Sequence, residues 1–102
     1  GTYVVKEVVV NRSHRLSLQY HEKKLETMML VSGDALLQLE SEKEQGKMVN
    51  FRMRPFVPYL IQVGQTHRLI ADGKERARVV EVSTTELEDV VRLEDDYNRL
   101  DS

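Results

Sequence analysis

Short apolar runs closed by turn signals constrain this chain most. "YVVKEVVV", "RLSLQY", "TMMLVSG", "ALLQLES", "MVNFRM", "PYLIQV", "HRLIA" and "ARVVEVS" follow one another at intervals of roughly 8–12 residues. They are rich in β-branched residues, and several alternate apolar with polar side chains, the period of a strand with one face buried. Gly33 stops the third run, the polar hexapeptide "EKEQGK" reads as a solvated hairpin connection, and Arg54-Pro55 and "ADGKE" mark further turns. About eight strands with short connections predict an all-β fold, an antiparallel sandwich or barrel, and leave no room for helical crossovers. The tail "TTELEDVVRLEDDYNRLDS" differs. It is acidic, with an apolar patch at Val90, Val91 and Leu93, and reads as a strand followed by a short turn or helix. No linker divides the chain, so residues 1–102 are expected to form one domain.

Charge and composition narrow the partners. With 15 basic and 17 acidic residues in 102, the net charge of −2 gives no broad attraction to nucleic acid or anionic membrane. No apolar run approaches the ~20 residues a membrane helix needs, so a soluble, cytoplasmic protein is expected. The absence of cysteine removes disulfides and thiolate ligands, and any metal must be held by nitrogen and oxygen.

One stretch brings such donors together. In "LSLQYHEKKLETMMLVSG", Gln19 and His21 lie two apart on a strand and share a face. Glu26 begins the next apolar run, where a hairpin can fold it back beside them, and a second imidazole, His67, follows "QVGQT". Two oxygen and two nitrogen donors suit a divalent transition ion with a position left for water or substrate. Spacing alone leaves two readings open, metal ligands or ordinary polar residues near a turn. His14, between Arg12 and Arg15, reads as a structural residue.

The strings "VVKEVVV", "HRLSLQYH", "LVSGDALLQLE", "VGQTHRL" and "VVRLEDDYNR" together resemble the cupin domain of type II mannose-6-phosphate isomerases, found alone or fused behind a mannose-1-phosphate guanylyltransferase domain. The resemblance runs from about Val4 to Arg99, and "RLSLQ" and "VRLEDDY" are its most specific parts. It implies a cupin double-stranded β-helix, in agreement with the strand count. It also implies a metal centre on Gln19, His21, Glu26 and His67, with zinc first among the ions and manganese, iron, cobalt and nickel as alternatives. The implied activity is the isomerisation of mannose 6-phosphate to fructose 6-phosphate. The Gly-rich nucleotide-binding segment of a guanylyltransferase is absent, so these residues alone are not expected to make GDP-mannose.

Departures from the family pattern cluster beside the implied ligands. Glu22, Lys23 and Lys24 replace two histidines and an arginine, Thr27 and Met28 replace a His-Trp pair, and Phe56 and Gln62 stand where cupins usually have glycine and proline. Lysine lacks arginine's bidentate fork, and threonine cannot serve as an imidazole base. Glu22 is the one spare carboxylate near the motif, a weak candidate base because alternation aims it away from the metal face. Lys24 and Arg68 are the candidates for binding sugar phosphate, each with a bland alternative: a surface turn lysine, and an arginine paired with an acid on the outer surface. Arg52 and Arg54 share a strand face and would suit an anion if they entered the barrel mouth, whereas Met28, Met29 and Met48 read as core fillers. Exposed sheet edges favour a homodimer. The alternatives to an isomerase are a non-catalytic metal-containing cupin that binds a sugar or small metabolite, and another metal-dependent enzyme such as an oxygenase.

Overall fold

The computed structural model describes residues 3–85 and 89–97, and within them every regular element is a strand. The nine strands are β1 (Val4–Val10), β2 (Leu18–His21), β3 (Glu26–Ser32), β4 (Leu36–Glu40), β5 (Met48–Arg52), β6 (Pro58–Ile61), β7 (His67–Ile70), β8 (Ala77–Ser83) and β9 (Val90–Glu94). All eight runs expected from the alternation are strands, and the tail supplies the ninth. A turn at 96–97 follows it, and the positions beyond 97, including Arg99, lie outside the described residues.

The strands form two antiparallel sheets, in the orders β1-β8-β3-β6 and β5-β4-β7-β2-β9. Sequence neighbours therefore sit in opposite sheets at several steps, the connectivity of a rolled sandwich. The buried core lies between them. Val10, Met28, Leu30, Ile61 and Val79 come from the first sheet, and Leu37, Leu39 and Leu69 from the second. Strand alternation accounts for this: β8 reads buried, exposed, buried, half-buried, buried, exposed, buried along its length.

Local chemistry fixes two of the corners. Gly33 closes β3 with φ +79°, and a Cβ there would collide with the backbone carbonyl of Arg76, so only glycine fits. Phe56 takes φ +63°, a conformation that favours glycine, and the residue is 65% exposed. The left-handed turn is thus made without the residue best suited to it. Its amide still donates to Leu30 O at 2.9 Å.

The peripheral arginines and methionines fall as follows. Arg52 does not enter the barrel: its guanidinium pairs with Asp72 at 3.0 and 2.5 Å on the surface, and Arg54 is exposed. Of the two apolar residues that alternate with them, Met53 is buried and Phe51 is largely exposed, because β5 is an edge strand. Met28 is a core residue as expected, whereas Met29 and Met48 are only half-buried.

Candidate metal centre and cavity

β2 lies between β7 and β9, which decides what converges on its inner face. Gln19 faces His67 directly across the β2–β7 ladder, and His21, two residues on, shares that face. Glu26 opens β3 in the opposite sheet and projects inward with Met28 and Leu30. The strand register shifts between Leu18 and Gln19, a bulge at the start of the ligand pair.

His21, Glu26 and His67 are all buried, and one donor atom from each lies within 4.8 Å of the others. His21 Nε2 stands 2.5 Å from Glu26 Oε1, and His67 Nε2 stands 3.6 Å from the same oxygen. All three atoms are buried, and they have no partner beyond one another. A buried polar atom left unmatched is costly, so three of them aimed at one point need a further species between them. Two imidazole nitrogens and a carboxylate oxygen are a donor set that zinc or another divalent transition ion accepts. The residues present therefore fit a metal ion.

The other ring nitrogens are already occupied. His21 Nδ1 lies 3.0 Å from Asp89 Oδ1, and His67 Nδ1 lies 3.0 Å from Gln65 O. An acceptor at Nδ1 places the proton there and leaves the Nε2 lone pair free for a ligand bond. Burial pushes the Glu26 carboxyl upward, but the adjacent His21, with His67 and Lys24 nearby, outweighs it and holds Glu26 below the usual glutamate value. Burial lowers His67 below the ordinary imidazole range, which favours the neutral, ligating form. Burial also pushes Asp89 upward, yet the amides of Lys23 and Lys24 and the His21 ring together hold it below the usual range.

Gln19, the fourth expected ligand, lines the same cavity, and its Oε1 accepts a hydrogen bond from Ser17 Oγ at 2.5 Å. The cavity beside the donors measures about 230 Å³, and Lys6, Lys24, Glu81 and Arg92 supply its charged lining. Lys24 is no surface turn lysine: it is only 3% exposed. Arg68 is not brought to the site. Buried on the opposite face of β7, it donates through Nε to Leu16 O at 2.8 Å and pairs with Glu94 at 3.2 Å. Glu22 is exposed and does not line the cavity. Among the departures from the family pattern, only Lys24 lines it; Thr27 alternates to the outer face and Met28 belongs to the core.

Three residues of the site were not singled out from the sequence. Asp89 is 68 positions from His21 and carries no local signal. Arg92 carries no such signal either, whereas Glu81 carried one that could have been used, a charged residue in register with the buried face of its strand, which it shares with Ala77 and Val79.

A two-sheet β-roll with an inward His–Glu–His group beside a charged cavity defines a double-stranded β-helix, or cupin, domain. The solved structures agree. Capsular polysaccharide assembling protein CapF from Staphylococcus aureus superposes with a TM-score of 0.77 at 17% identity, over 88% of this chain and 28% of that one. An oxalate oxidase in complex with the substrate analogue glycolate gives 0.79 at 18% identity, over 90% and 46%. A protein with a double-stranded β-helix domain from Klebsiella pneumoniae gives 0.71 at 16%, over 89% and 74%. At these identities the likeness shows the fold.

The chain belongs to the family described as mannose-6-phosphate isomerase C-terminal, whose model matches residues 1–101. Mannose-1-phosphate guanylyltransferase ManC of Salmonella typhimurium is 33% identical over 101 residues, 96% of this chain and 20% of that protein. Alginate biosynthesis protein AlgA of Pseudomonas aeruginosa is 30% identical over 102 residues, 97% and 20%. The chain thus spans about a fifth of the length of the curated relatives it matches. Among the described residues, no helix is long and apolar enough to cross a membrane.

Proposed function

We propose that this domain isomerises a sugar phosphate, interconverting mannose 6-phosphate and fructose 6-phosphate, with a divalent ion, zinc first, held by His21, Glu26 and His67. One observation carries the reading: three buried donor atoms converge, and two of the residues that bear them, His21 and Glu26, line a cavity whose lining includes three cationic side chains. When bound, such an ion polarises the substrate's oxygens and stabilises developing negative charge. The chain's own residues do the rest. Asp89 and Gln65 hold the two imidazoles by their Nδ1 atoms, and Gln19, tied to Ser17, bounds the cavity. Arg92, whose Nε is buried without a hydrogen-bond partner, and Lys24 and Lys6 take the phosphate. The buried Lys24 ammonium, deprived of water, gains from a doubly charged anion what it lost on burial.

Coupled assay of mannose 6-phosphate conversion, with and without added divalent ion, tests this directly. Metal-dependent turnover supports it. Saturable binding of the sugar phosphate without turnover supports the second reading, a non-catalytic metal-containing cupin, which the replacement of arginine by Lys24 beside the donors favours. We further propose a cytoplasmic homodimer. Its support is the exposed apolar outer face of the first sheet, where Val5 lies opposite Val82 and Leu60 follows beyond Thr27.

A further inference from the structure

The metal centre and the cationic lining leave one group of the cavity without a role. Glu81 is 5% exposed, projecting from β8 with its carboxyl into the space between the sheets. In the ladders it lies opposite Lys6 of β1 and Met28 of β3, while Glu26 lies opposite Ser83. Glu81 is therefore one diagonal step from Glu26 on the same face, close to the metal donors yet outside the group that could ligate an ion. Its ion pair is a long one, to Lys6 Nζ at 3.5 Å, and Lys6 is half exposed at the cavity's edge. A carboxyl in such a place is expensive to keep and contributes little to packing.

We propose that Glu81 is the proton-transferring base of the isomerisation, resting on the sugar-phosphate reading above. The step balances without an outside reagent. The Glu81 carboxylate takes the proton from C2 of the open-chain aldose, and the C2–H electron pair becomes the C1=C2 bond of an enediol. The carbonyl electrons move to O1. Glu81 then returns its proton to C1, the hydroxyl proton passes from O2 to O1, and C2 becomes the carbonyl carbon; C1 is reduced as C2 is oxidised.

The surroundings separate the two glutamates. Burial, and then the charge of Glu26, push Glu81 above the usual glutamate value. Two carboxyls with environments that drive them apart are the usual arrangement of ligand and base within one site. The charged groups facing Glu81 are Lys6 from β1, Glu26 from β3 and Lys24 from the β2–β3 connection, with Arg92 of β9 across the cavity.

Exchange of the C2 hydrogen of mannose 6-phosphate in deuterated water reads the proposed step alone. With the metal-loaded chain, Glu81→Gln should retain the ion and bind mannose 6-phosphate within a few-fold of the parent. It should lose C2 exchange and isomerisation by about 100-fold or more, the size of a general-base contribution. Should that variant not fold, Glu81→Asp carries the test, keeping charge and binding but slowing exchange at least tenfold by withdrawing the carboxylate by one methylene. Undiminished exchange in a folded variant overturns the role of Glu81 and leaves the isomerase reading standing. A parent chain that binds mannose 6-phosphate and neither exchanges the C2 hydrogen nor forms fructose 6-phosphate overturns that reading, and Glu81 as base with it.

Discussion

His21 Nδ1 and Asp89 Oδ1 lie 3.0 Å apart, and the other oxygen of the same carboxylate accepts the amides of Lys23 at 2.7 Å and Lys24 at 2.8 Å. A single aspartate thus sets both the ring orientation of one donor and the path of the loop that carries Lys24 into the cavity. Replacing Asp89 by alanine should weaken metal binding by about 10–100-fold, the usual effect of losing an outer partner of a ligating histidine. Competition against a chromophoric chelator measures it. Unchanged affinity in the folded variant would show that the ring needs no such support.

Arg92 is assigned to the phosphate, so its replacement should separate anion binding from metal binding. Arg92→Met fills the same space without charge and removes a buried, unmatched Nε. Calorimetry should show sugar-phosphate affinity lowered by about tenfold or more, with metal content unchanged. Thermal stability should not fall, because the buried Nε without a hydrogen-bond partner is itself unfavourable. An affinity equal to the parent's would remove Arg92 from the substrate site.

Phe56 holds φ +63° and is exposed. A side chain in this region costs on the order of 1–3 kcal/mol, and the extra freedom of glycine in the unfolded chain returns up to about 1 kcal/mol of that. Phe56→Gly should therefore stabilise the domain by about 1 kcal/mol, seen as a higher midpoint in urea. A lower midpoint would mean that the ring packs against something, as a partner subunit would provide.

The metal-free domain should lose stability on mild acidification. Burial lowers His67 below its ordinary value of 6.5, so the unfolded chain binds the proton more readily, and stability falls as pH drops from 6.5 towards the lowered folded value. Glu26 and Asp89, both held low, act with the same sign further down, below 4.5 and 3.8. Glu81 is raised and acts oppositely: its contribution is present below 4.5 and lost as pH rises through its folded value. After treatment with chelator, His67→Gln should flatten the melting temperature between pH 7 and 5.5 relative to the parent. Equal slopes in the two proteins would place the titration elsewhere.

Strand positions were legible because the runs are rich in β-branched residues and bounded by turns, and several, such as β3, β4 and β8, alternate between core and solvent, signals contained within a few residues. β9 was harder, since Val90, Val91 and Arg92 are all half-buried and Leu93 and Glu94 exposed, so no alternation marks it. The donors His21, Glu26 and His67 were legible through the family motifs, spacing alone leaving them ambiguous. Lys24 was open to reading as a surface lysine, because nothing local shows that Asp89 draws its backbone inward. Arg68 shows the opposite failure. A motif neighbour of His67 by sequence, it points to the other face of β7 by strand geometry, and Glu94 takes its charge. Asp89 reaches His21, and Arg92 and Glu81 reach the cavity, through pairings of β9 with β2 and of β8 with β1 and β3, which are long-range contacts that no window of sequence contains.

The central claim is that His21, Glu26 and His67 together grip one divalent ion. Elemental analysis of the purified chain and of His67→Ala, each equilibrated with zinc and freed of excess, tests it most directly when circular dichroism shows both to be folded. The account predicts one ion per parent chain and well under a tenth of that in the variant. A parent that retains no ion, or a folded variant that retains as much as the parent, would contradict it.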